Sequence, residues 1–88
     1  MDILEFNIHD VGERDMETLS MKERDQTPVI FTGAKIDNSK IMPGNILEIR
    51  TDDGIKPYLI KSVHREASKK TNQDIKKGKV FVSELKPR

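Results

Sequence analysis

A chain of 88 residues with 16 Lys and Arg against 15 Asp and Glu carries a formal charge of +1 and has neither Cys nor Trp. That length holds one domain with a thin core, because a chain this small buries only roughly 60–65% of its unfolded surface, and no disulfide can staple it. Leu, Ile, Val and Phe make up 23 residues, about 26% of the chain and above the roughly 20% below which disorder is the default.

The hydrophobic period is mostly two. Leu4, Phe6 and Ile8 alternate with Ile3, Glu5, Asn7 and His9, the pattern of a half-buried strand. Residues 10–27 are ambiguous: Met16 and Leu19 have helical spacing, Leu19 and Met21 alternate like a strand, and the density of charge argues against an autonomous helix. They read as an extended or partly disordered arm with at most one helical turn. Val29-Ile30-Phe31-Thr32 after Pro28 is a β-branched and aromatic run, again strand-like. Met42-Pro43-Gly44-Asn45 is a turn, with Pro43 presetting φ and Gly44 supplying the second central position. In Asn45–Thr51, Leu47 and Ile49 point inward while Glu48 and Arg50 face water. Asp52-Asp53-Gly54 is a hairpin signal, with Asp53 and Gly54 as its turn residues. Tyr58–Val63 reads as the next strand, Glu66–Lys79 as a long polar hairpin loop, and Val80–Leu85 as the last strand. All three phenylalanines, Phe6, Phe31 and Phe81, fall in strand patterns and are expected in the core. Short strands at this spacing without a long helix predict a mainly β chain, a small antiparallel β-barrel or sandwich at 28–88 preceded by a flexible N-terminal arm at 1–27.

The near-zero charge hides a polarity. Residues 1–27 hold eight acids and three bases, a net of −5, while residues 55–88 hold three acids and ten bases, a net of +7. Either the halves interleave in space and neutralise each other, or an acidic arm and a basic end serve as docking elements. No apolar run reaches the length of a signal peptide or a membrane span, so a cytoplasmic protein is expected, without membrane contact.

Catalytic chemistry finds no foothold in the residues. His9 and His64 show no metal-ligand spacing. His64-Arg65-Glu66 reads as an exposed strand end, and Asp52 and Asp53 are explained by the turn. The five glycines stand singly, so no phosphate-cradling loop forms. The expectation is a protein that is not an enzyme and uses no cofactor, metal or small-molecule substrate. Two surfaces remain for partners. The basic loop, Lys69, Lys70, Lys76, Lys77 and Lys79, can neutralise phosphates or an acidic protein, although it lacks the interleaved aromatics that stack bases. The strand Leu4, Phe6 and Ile8 can pair within its own sheet or add to a neighbour's.

Val29–Thr32, then Ile36-Asp37 and Ile41, then Met42-Pro43-Gly44-Asn45-Ile46-Leu47-Glu48-Ile49, and after a hairpin Tyr58–Val63, form a pattern that resembles the small β-barrel head–tail joining (head-completion or tail-attachment) proteins of tailed bacteriophages. The likeness runs over residues 29–85, with Asn45 standing where that family usually has Asp. It implies a non-enzymatic assembly subunit that self-associates on portal or tail proteins, docks through its arm and loops, and resides in the virion if phage-encoded. The alternative is a small nucleic-acid-binding barrel that uses the basic loop.

Overall fold

Period-two alternation folds here into five strands. A computed structural model describes residues 2–66 and 77–86. Among the described residues the strands are β1 (Ile3–Asp10), β2 (Val29–Asp37), β3 (Ile46–Thr51), β4 (Gly54–Glu66) and β5 (Lys77–Glu84); one short α-helix, α1 (Met21–Asp25), precedes β2, and 3-10 turns lie at Met16–Thr18 and Asn38–Lys40. The strands form one sheet in the order β2-β1-β5-β4-β3, which curls into a half-barrel.

The chain is mainly β, but the sheet is mixed rather than antiparallel. β1 runs parallel to β5, Phe6 facing Gly78 and Ile8 facing Val80, while the other three pairs are antiparallel. Alternation in a sequence reports which face of a strand is buried and carries no information about the direction of its neighbour, so this pairing was not readable.

The concave face holds the main core: Leu4, Phe6 and Ile8 of β1, Ile49, Tyr58 and Ile60, and Val80 and Val82 of β5. Ile41 joins them from the connection between β2 and β3. That connection is pinned at both ends. The Asn38 amide donates to the Asp2 carbonyl (2.9 Å) and the Gly44 amide to the Ile60 carbonyl (2.8 Å). Arg65 donates from Nε to Asn38 Oδ1 (2.7 Å) and from Nη2 to the Ile41 carbonyl (2.6 Å).

The strand Leu4, Phe6 and Ile8 is therefore no free docking arm. These side chains are 2%, 0% and 1% exposed, and β1 is paired on both sides, by β2 and β5. An inner strand with one apolar face is held by its own core and has no edge to offer another chain. Residues 11–27 are likewise part of the body. Val11 and Leu19 pack with Phe81 on the convex face, with Met16 against them, and the amides of Asp10 and Val11 donate to the carbonyls of Pro28 and Val82 (both 2.9 Å). Ser20 caps α1, accepting from the Glu23 amide (3.1 Å) while the Ser20 amide donates to the Glu23 carboxylate (3.3 Å).

The polar loop expected at 66–79 is narrower than its composition suggests. Glu66 belongs to β4 and Lys77–Lys79 to β5, with Glu66 opposite Lys77 and His64 opposite Lys79 in the ladder. Residues 67–76 of that loop lie outside the described residues.

Candidate interaction surface

The curl of the sheet leaves β2 and β3 as its two edges, unpaired with each other. Between them lies an apolar cleft of about 370 Å³. Ile8, Phe31, Ala34 and Ile36 line one side, Leu47 and Ile49 the other, with Glu48 and Arg50 at its rim. Following the pairings around the sheet, β2 and β3 run antiparallel. Among the described residues, the backbone donors and acceptors on their free sides have no ladder partner.

The β2 edge is apolar on both faces. Val29, Ile30 and Phe31 are 48%, 37% and 43% exposed, and Val29–Ala34 contains no charge in a chain that is 35% charged. Phe31 thus departs from the buried position expected of it: it shares the face of Ile8 and lines the cleft, which stays open because β2 and β3 do not pair, while the consecutive run Val29-Ile30-Phe31 presents side chains to both faces. That run was the sequence signal for an exposed edge. Two bulges shape it: Ile30 is the extra residue between the Ile8–Phe31 and His9–Val29 pairs, and a second bulge follows at Thr32-Gly33. Phe6 pairs with Ala34 and Ile8 with Phe31, so Thr32 and Gly33 together face Asn7. Gly33 takes a φ of +69°, which a side chain resists, and its amide donates to Asn7 Oδ1 (2.9 Å).

The β3 edge is charged on its outer face. Glu48 and Arg50 are exposed, Ile49 between them is buried, and Ile46 is 61% exposed.

Of the basic residues singled out from the sequence, Lys77 and Lys79 are described. Lys69, Lys70 and Lys76 lie outside the described residues. Lys77 is exposed opposite Glu66, and Lys79 Nζ stands 3.5 Å from Asp25 Oδ1. The second cavity, about 280 Å³ between α1 and β4–β5, is bordered by Arg24, Asp25, His64, Glu66 and Lys79, so both signs of charge meet there. Of the four aromatic side chains, Phe6, Tyr58 and Phe81 are buried and Phe31 alone presents a ring to solvent.

The two histidines sit apart in role. His9 is 5% exposed, packed against Phe81 with ring centroids 5.3 Å apart and the planes tilted by 32°, and its Nδ1 is 3.4 Å from both polar oxygens of Thr27. Its Nε2 is buried without a hydrogen-bond partner. His64 is exposed, 3.8 Å from the Glu66 carboxylate. Among the described residues no three His, Cys, Asp or Glu side chains form a metal-ligating group, and no helix is long and apolar enough to cross a membrane. Pro43 and Gly44 lie between Ile41 and β3, and Asp53 and Gly54 at the β3–β4 hairpin, where Thr51 pairs with Gly54.

Residues 13–83, which include both edge strands, match the model of a family described as one of unknown function, DUF5839. Comparison with curated proteins and with solved structures gives no match. The matched segment spans about four fifths of the chain, from the turn before α1 to the end of β5, and by that extent the chain belongs to the DUF5839 family.

Proposed function

We propose that this protein is a non-enzymatic adaptor that joins larger protein components by taking an extended, uncharged segment of a partner beside β2. The observation that carries this is the Val29–Phe31 edge, exposed and uncharged, bordering an apolar cleft. An edge without charge or proline is a template for a further strand. Added backbone hydrogen bonds supply affinity, and the alternating side chains of the incoming strand supply specificity. A charged residue on that strand would lose its hydration with no partner to meet. The resemblance to head–tail joining proteins suggests the setting, a phage or prophage particle with portal or tail proteins as partners and the virion or host cytoplasm as the place. That setting rests on the sequence likeness alone.

The test is a pair of titrations on the full chain, read by backbone amide shifts. One uses extended peptides of alternating Val and Thr; the other uses single- and double-stranded oligonucleotides at about 50 mM salt, where phosphate contacts are strong. The peptide is expected to shift the amides of Val29–Ala34 and the cleft residues, and Ile30→Asp to abolish the response. Salt-sensitive binding of the oligonucleotides with β2 silent overturns the reading in favour of a nucleic-acid-binding barrel. Photo-crosslinking from position 30 to purified portal or tail proteins then tests the setting.

A further inference from the structure

The second free edge, β3, is of another kind. Its ladder with β4 runs from Ile46 opposite Leu59 to Thr51 opposite Gly54 with no register shift, and Ile46–Thr51 contains neither Gly nor Pro. The bulges that bend β2 are absent from it, so its outer side is straight along its whole length. Glu48 and Arg50 point outward on the same face, two residues apart, with Ile49 inward between them. Such an edge repels an apolar strand but suits a strand of complementary charge order.

We propose that β3 pairs with β3 of a second copy of this chain, antiparallel about a two-fold axis at Ile49. Side chains directly opposite in an antiparallel pair point to the same face, so the charge order selects among the registers that keep the faces aligned. An axis at Glu48 sets that carboxylate against its own copy. An axis at Arg50 sets two guanidinium groups together and Glu48 against Asp52. An axis at Ile49 sets Glu48 opposite Arg50 of the second copy and Arg50 opposite Glu48 of the second copy. Leu47 then lies opposite Thr51, and the two Ile49 side chains meet on the concave face. Opposite charges facing across strands stabilise a pair and like charges destabilise it, and a two-fold interface makes the favourable contact twice. The β2 edge of each copy stays free, so the dimer is an adaptor with two partner sites.

Sedimentation and light scattering of the full chain from micromolar to millimolar concentration test this. A concentration-dependent dimer that weakens with added salt is expected. Glu48→Arg and Arg50→Glu, each alone, turn both pairs into like-charge contacts and should raise the dissociation constant by about tenfold or more. Mixed in equal amounts, the two variants restore opposite charges at every contact and should dimerise again. Dispersed amide spectra establish that each single variant is folded. A monomer at all concentrations, or a dimer indifferent to both reversals, overturns the proposal. Ile30→Asp, which removes peptide binding at β2, leaves this dimer intact, so the two readings fail separately.

Discussion

Gly78 stands beside Phe6 in the parallel β1–β5 ladder, where a side chain has no room. A Cβ at that position would be 2.7 Å from Phe6 Cε1 and 2.8 Å from the His64 carbonyl oxygen. Neither neighbour yields easily: the Phe6 ring is 0% exposed and the carbonyl belongs to β4. Gly78→Ala should therefore destabilise by about 1–3 kcal/mol through overpacking. Thermal melting should register this as a fall of roughly 4–8 °C per kcal/mol, and an unchanged midpoint would mean that the ring moves aside. Tyr58 offers a second measurement, because it is the one tyrosine of a chain without tryptophan. Burial raises its pKa above the ordinary 10.0, and the Glu84 carboxylate adds to the shift; Glu84 is its cross-strand partner. A phenol that holds its proton more tightly when folded contributes stability that is complete below the unfolded pKa and is lost as pH rises through the folded one. An absorbance titration should give a midpoint above 10, falling back to about 10 in denaturant. Stability should decline above about pH 10, and Tyr58→Phe should remove that decline.

At the level of elements, α1 is five residues long, far shorter than a helix that stands alone in water. It persists because Leu19 is buried against Val11 and Phe81, because Arg24 Nη2 donates to the Met16 carbonyl (2.8 Å), and because of the Ser20–Glu23 cap. Ser20→Ala should cost about 1 kcal/mol and Ser20→Asp much less. Amide exchange should show the loss first in residues 20–27, which would open before the sheet does. β1 and β3 were legible because each buries one face: Leu4-Phe6-Ile8 and Leu47-Ile49 alternate, and Asp52-Asp53-Gly54 marks the hairpin between β3 and β4. Neighbour identity was not legible, since β1 and β5 come together from opposite ends of the chain. That pairing alone decides that Leu4, Phe6 and Ile8 face a core rather than a partner. For the same reason Phe31 could not be told from Phe6 by composition: one lies on an edge strand and the other on an inner one.

For the molecule as a whole, the polarity of charge along the sequence is folded back on itself. The acidic segment supplies β1 and α1, the basic segment supplies β4 and β5, and the two are brought side by side, with Asp25 against Lys79. What remains distinctive about the surface is the opening between β2 and β3, whose edges are joined in sequence by the 38–45 connection. Ile41 is the side chain there that reaches the core, at 0% exposure. Truncating a buried isoleucine costs about 2–5 kcal/mol, against a total of about 4–13 kcal/mol for a chain of this size, so Ile41→Ala should leave the domain near its unfolding threshold at 37 °C. Ile55, of similar volume but 59% exposed on β4, should tolerate Ile55→Thr within about 0.5 kcal/mol. Urea denaturation of the two variants separates the alternatives. A large loss confined to Ile41→Ala means that the connection between the edge strands is part of the core. Equal effects would mean that the five-strand ladder alone holds the curl.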